Sequence, residues 1–188
     1  MIAIAVLALP LAWVAKEQRQ SAHELQLAEQ LDKLYGVAVE LGGPFDLWDP
    51  RKRLEPQPWW RDLARKVLGE RVRGISIESH AHRDLNVLSS FSSLQALNCG
   101  GMDMDYTMGD NQFPRDLTPL AKHKTLRWLA LNRCQIRDLS PLDGLSGLTT
   151  LKLRETNVPQ EQIDALQKAL PNCEIDHFLF SNARQGRR

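Results

Sequence analysis

The residues able to do chemistry are few and badly spaced for it. Cys99, Cys134 and Cys173 are the three thiols, and an odd number cannot all pair within one chain. His80-Ala-His82 and His123 lie far apart in sequence, and nothing in their spacing gathers them around a metal. A zinc site would need Cys99 or Cys134 to turn outward. Asp103, Asp105 and Asp110 invite a calcium reading, yet the D-x-D-x-D-G pattern and its closing Glu are missing. No G-x-S-x-G, H-E-x-x-H, phosphate loop or dinucleotide fingerprint occurs. The sequence nominates no catalytic residue, no metal ligand and no cofactor, and reads as a non-enzyme.

The elements that would position any site announce themselves by repetition. The phrase L-x-x-L-x-L stands at Leu94–Cys99, Leu126–Leu131 and Leu148–Leu153, with a degenerate copy at Val72–Ile77. Successive copies start 22, 32 and 22 residues apart, so the odd step is the same unit carrying about ten extra residues. In the best copy, Leu126-Arg-Trp-Leu129-Ala-Leu131, alternation puts Leu129 and Leu131 on one face of a short strand. Cys134 then takes the turning position, where a small polar group satisfies backbone as the chain leaves the strand. Thr156, Met102 and His80 take that place in the other copies. Cys99 fills a leucine position, so Cys99 and Cys134 read as buried structural residues.

The second half of each unit also repeats. Asp116-Leu-Thr118-Pro119-Leu120 matches Asp138-Leu-Ser140-Pro141-Leu142. Ser or Thr before Pro predicts a capped short helix at each place. Two half-units in one register carry far more weight than one leucine phrase.

On these residues, positions 72–177 resemble a leucine-rich repeat domain, of the short bacterial L-x-x-L-x-L-x-x-N-x-I-x-D-L-S-P-L type found in membrane-tethered proteins. Ala165-Leu-Gln-Lys-Ala-Leu-Pro-Asn-Cys-Glu-Ile175 resembles the closing helix and strand of such proteins. The resemblance implies an α/β leucine-rich repeat solenoid with about four short parallel strands and helical or 3-10 turns on the convex side. It implies protein interaction as the role and carries over no catalytic residue.

Composition is compatible with this and narrows little else. The chain has 188 residues, 43% hydrophobic, with a formal net charge of +1. That is one domain with appendages, without the basic excess that nucleic-acid binding needs. Residues 1–15 form an uncharged apolar run ended by Lys16-Glu-Gln-Arg19, shorter than the roughly 20 residues of a spanning helix. Its length fits the h-region of a signal peptide, but no basic n-region precedes it and cleavage after Ala15 would put bulky Trp13 at the third position back. An uncleaved signal anchor is therefore the expectation, and a helix buried in the globular core is the alternative. On the anchor reading, Trp13 and Lys16 sit at the membrane interface, and the repeat domain faces away from the cytosol; on the signal-peptide reading the protein is secreted. Residues 16–35 read as a polar helical stalk, with Leu27, Leu31 and Leu34 on one stripe. That stripe either self-associates weakly or packs on the cap. Residues 36–71 read as an N-terminal cap: a strand Val37–Leu41, a loop, and a helix Trp59–Leu68 that close the exposed end of the repeats. Residues 178–188 read as a disordered tail.

Alternation places Gly74, Ser76 and Glu78, then Ala96, Asn98 and Gly100, then Trp128, Ala130 and Asn132, and finally Thr150, Lys152 and Arg154 on the face away from the leucines. Trp128 beside Arg127 or Arg154, with Asn132 and Lys152, is the candidate anchor for a protein or peptide, since Trp and Arg dominate interface energetics. Trp128 covering neighbouring apolar stems is the alternative. The small residues of the first two strands predict a shallow floor there. The insertion, residues 105–115, offers Tyr106, Met108 and Phe113 as further contact residues. Two functions stand: a membrane-tethered interaction module using the strand face and this loop, or a structural envelope scaffold without a discrete ligand.

Overall fold

The computed structural model describes residues 2–35, 37–42, 66–77, 85–99 and 116–177. The predicted loop and most of the Trp59–Leu68 helix, His80 and His82, the 105–115 insertion and the 178–188 tail lie outside the described residues. Of the second predicted helix, residues 66–68 are described and helical.

Each leucine phrase forms one rung of a sheet. The strands are β1 (Val37–Gly42), β2 (Arg71–Ile77), β3 (Ala96–Asn98), β4 (Trp128–Ala130), β5 (Thr150–Lys152) and β6 (Glu174–Asp176). Among the described residues they form one sheet in the order β1 to β6. The first pair is antiparallel and every later pair is parallel. Equivalent repeat positions pair: Ile75, Leu97, Leu129, Leu151 and Ile175 make one column. The inserted residues between β3 and β4 leave that register intact, with Leu97 opposite Leu129.

The reason is visible in what the columns bury. Val72, Leu94, Leu126 and Leu148 lie under the strands, as do Ile77, Cys99, Leu131 and Leu153. All belong to one core. A one-residue slip would move each row to solvent, and each fully buried leucine contributes about 1.5–3 kcal/mol. Behind the strands, Leu85, Leu117 and Leu139 repeat, then Leu88, Leu120 and Leu142, and all are buried. Phe91, His123 and Leu145 form the next equivalent set, so a histidine stands where the other units place a large apolar side chain.

The two predicted short helices are 3-10 turns at Thr118–Lys122 and Ser140–Leu142, and a further one stands at Leu85–Ser90. Their caps differ from the expectation. The N-cap positions fall on Leu117 and Leu139, which make no side-chain capping bond, and Thr118 and Ser140 stand one residue inside. Instead the Thr118 N–H donates to Asp116 Oδ1 at 2.8 Å and the Ser140 N–H to Asp138 Oδ1 at 2.9 Å. The carboxylate two residues back competes better, because an ionised acceptor makes the stronger bond. Bonds from Thr118 and Ser140 hold the two carboxyls below their ordinary range. The last unit replaces the turn by α2 (Gln160–Ala169), which buries Ile163 and Leu166.

The first helix, α1 (Ile2–Tyr35), runs 34 residues without interruption. The apolar run and the polar stretch are one element, and no helix among the described residues is long and apolar enough to cross a membrane. Its second half is no free stalk: Ala28 and Leu31 are buried in the core and Leu27 packs against it. The leucine stripe is thus used on the protein's own body, against β1 and β2.

A buried ion pair fixes this docking. Glu24 is 0% exposed and Arg71 3%. Arg71 donates to Glu24 Oε1 at 3.2 Å and to Glu17 Oε2 at 2.5 Å. The Val72 N–H and the Ser92 hydroxyl also donate to Glu24, each at 3.2 Å. One turn away, Ser21 Oγ donates to the Glu70 carbonyl at 2.6 Å. Gly69 allows that approach: its φ is +81°, and a Cβ there would collide with the Ser21 side chain.

Candidate protein-interaction face

The outer face of the sheet is built from the positions between the leucines, as alternation requires. One column runs Gly74, Ala96, Trp128, Thr150, Glu174; the other runs Ser76, Asn98, Ala130, Lys152, Asp176. The two halves of the face differ. Gly74 is buried and Ala96 is only 3% exposed, so the small residues of β2 and β3 make no open, shallow floor. Ser76 and Asn98 are partly exposed, as are the larger Trp128, Thr150 and Lys152 of β4 and β5, and β6 adds the exposed Glu174.

Trp128 is half-buried on this face. Lys152, one strand over and two residues along, holds its ammonium 5.6 Å from the indole centroid, within cation–π range. Arg154 is exposed, yet its guanidinium is committed: Nε lies 2.8 Å from Asp176 Oδ2. Its backbone N–H is held by Asn132 Oδ1 at 3.0 Å. Arg127 is half-buried beside Trp128, and its carbonyl accepts from Thr149 Oγ1 at 2.9 Å. Trp128 and Lys152 thus meet on adjacent strands, with Arg127, Asn132 and Arg154 in the residues that flank those strands. Tyr106 and Phe113 lie outside the described residues.

A feature the sequence did not reveal borders this group. Arg133 and Glu155 occupy equivalent places one repeat apart, and both take left-handed backbone, φ 63° and 58°. Neither is a residue that favours that conformation. Their side chains bridge, Arg133 Nε to Glu155 Oε2 at 2.9 Å and Nη2 to Oε1 at 3.3 Å. The equivalent residue of the preceding copy is Gly101, a trace of the turn that could have been read beforehand.

The turning positions behave as expected. Thr156 Oγ1 donates to the Leu153 carbonyl at 2.8 Å, and Cys134 Sγ donates to the Cys99 carbonyl at 3.5 Å. All three cysteines are buried free thiols. Burial raises each: Cys99 well above the ordinary thiol range, with Cys134 adding to the effect, Cys134 to about 12 and Cys173 to about 11. Such thiols stay protonated and are poor nucleophiles. Among the described residues no group of three or more His, Cys, Asp or Glu side chains could hold a metal ion. What this face presents is one aromatic plane, a cation over it, and paired charges beside them.

Repeated L-x-x-L-x-L units on a shared, mostly parallel sheet, with helical turns behind it, fit a leucine-rich repeat fold. No family model matches the chain, and no curated protein matches it. Among solved structures it is similar to internalin C2 of Listeria monocytogenes, at 25% identity over 55% of this chain and 42% of that one, with a TM-score of 0.39. A second Listeria monocytogenes internalin is 20% identical over 52% of this chain and 25% of its own, TM-score 0.39. A leucine-rich repeat protein of Leptospira interrogans is 21% identical over 48% of this chain and 21% of its own, TM-score 0.36. The chain spans less than half the length of each.

Proposed function

We propose that the protein is a non-catalytic interaction module. Its repeats form a solenoid that binds a protein or peptide partner through the outer sheet face and the inserted residues 105–115. The observation that carries this reading is Trp128, a large aromatic held on the outer face of a sheet whose other face buries the leucines of the repeats. A partly exposed indole with a lysine over it, and Arg127, Asn132 and Arg154 in the neighbouring positions, has the composition of an interface centre. We place the protein at a membrane surface, outside the cytosol, through the N-terminal end of α1. In support, Leu11 and Trp13 are 69% and 49% exposed, ahead of the region where α1 meets the body.

The test is a comparison of full-length protein with Trp128→Ala in an unbiased cross-linking pull-down, followed by affinity measurement on any purified partner. The reading expects at least one partner captured by the wild type and bound about 30-fold or more weakly by the variant, the loss of an interface hot spot. Identical, empty captures would count against the interaction module and leave the envelope-scaffold alternative standing, and identical captures of a partner would reject this face as its binding site. Membrane attachment is checked separately by alkaline washing of the membrane fraction. Release into the soluble fraction counts against it.

A further inference from the structure

We propose that the outward side of α1 is a docking surface for anionic phospholipid, a specificity that rests on the membrane attachment proposed above. The helix segregates its charges. Glu17 and Glu24 turn inward and are bound by Arg71. Lys16, Arg19 and His23, spaced i, i+3 and i+7, share the outward side, and all three are exposed. With Ala12, Ala15 and Gln20 they line a shallow groove. Docking to the body therefore neutralises the acids of this segment and leaves its cations to solvent.

The neighbouring turn selects lipid over a protein groove. Leu11 and Trp13 are two residues apart, so they point about 160° away from one another around the helix. Ala12 between them is exposed as well. A groove on a partner protein covers one stripe of a helix, and no single groove covers both Leu11 and Trp13. A lipid phase surrounds the helix and does cover both. An apolar, Trp-bearing turn followed within one turn by Lys16 and Arg19 is the order met on passing from acyl chains to headgroups. Cations at that level interact favourably with an anionic leaflet, each by about a fivefold factor in affinity.

The experiment uses full-length protein, sedimented with vesicles of phosphatidylcholine alone or of equal parts phosphatidylcholine and phosphatidylglycerol. The expected result is tighter binding to the anionic vesicles, weakened by salt. Lys16→Gln/Arg19→Gln should lose about 30-fold on anionic vesicles and nothing on neutral ones. Leu11→Ser/Trp13→Ser should weaken binding to both. Equal wild-type binding to the two vesicles would overturn the inference and leave membrane attachment standing. An anionic preference that survives the Lys16/Arg19 change would also overturn it, by removing these residues from the site. Binding to neither vesicle would defeat the attachment reading and the inference with it.

Discussion

Arg71 is the residue on which the docking of α1 most depends, and replacing it by Met isolates that dependence. The methionine keeps most of the apolar stem and removes the cation. Glu24, 0% exposed, would keep the Val72 N–H and the Ser92 hydroxyl, each 3.2 Å away. Neither donor carries charge, so a buried carboxylate is left without a counter-ion. Breaking a buried pair from one side costs about 3–5 kcal/mol. At roughly 2–4 °C per kcal/mol for a chain of this size, the midpoint should fall by about 10 °C. Glu17 is 20% exposed and can rehydrate, so the loss falls mainly on Glu24. Arg71→Met/Glu24→Met should recover most of the stability, since apolar replacement of both partners is close to neutral. The exposed pair Arg154–Asp176, with Arg154 57% exposed, is the internal control: Arg154→Met should hardly move the midpoint. Thermal and urea unfolding followed by circular dichroism measure this, with hydrogen exchange across Ser21–Leu31 reporting on α1 itself. The reasoning fails if Arg71→Met loses less than about 1 kcal/mol, or if the double variant is as unstable as the single.

Two further outcomes follow from buried titratable groups. His123 is 4% exposed; one ring nitrogen donates to the Phe91 carbonyl, and Nε2 has no partner. Burial pulls its pKa below the ordinary value of 6.5. The unfolded chain therefore binds the proton first, and the stability present above pH 6.5 is lost as the pH falls through the folded-state value. Urea midpoints at pH 7.5 and pH 5.0 should differ more for wild type than for His123→Leu, which should also be the more stable at low pH. The buried cysteines should resist an aromatic disulfide reagent in the native protein at pH 8 and all react once urea is added. Rapid labelling of the native state would show a thiol on the surface.

Most of the scaffold was legible because leucine at a fixed interval has one consequence. Leu94, Leu126 and Leu148 give the register, and the register gives the columns, the outer face and the place of Trp128. Caps were misread because Asp-Leu-Ser-Pro contains two competing capping groups, and sequence alone favoured the hydroxyl next to the proline over the carboxylate two residues earlier. The role of α1 was half legible. Leu27 and Leu31 show an apolar stripe, but Glu24 and Arg71 lie 47 residues apart, and no local pattern announces a pair at that separation. The same limit hid the Arg133–Glu155 bridge and its left-handed turn. His123 looked like an isolated polar residue until the repeat positions were aligned behind the strands, where it stands in line with Phe91 and Leu145. The candidate face was legible as a set of positions. Which of its charges are already spent on one another, as Arg154 is on Asp176, belongs to geometry.

The long step between the second and third repeats carries an evolutionary consequence. Ala96 still faces Trp128 and Leu97 still faces Leu129 across it, so the added length is absorbed outside the hydrogen-bonded ladder. Lengthening a connection from 22 to 32 residues costs only about 0.3 kcal/mol in closure entropy. Mutation is thus free to lengthen, shorten or rewrite that stretch at almost no thermodynamic penalty, while any change to the leucine rows is severely punished. For the fold, then, length is cheap in this one interval and composition is costly in the leucine rows.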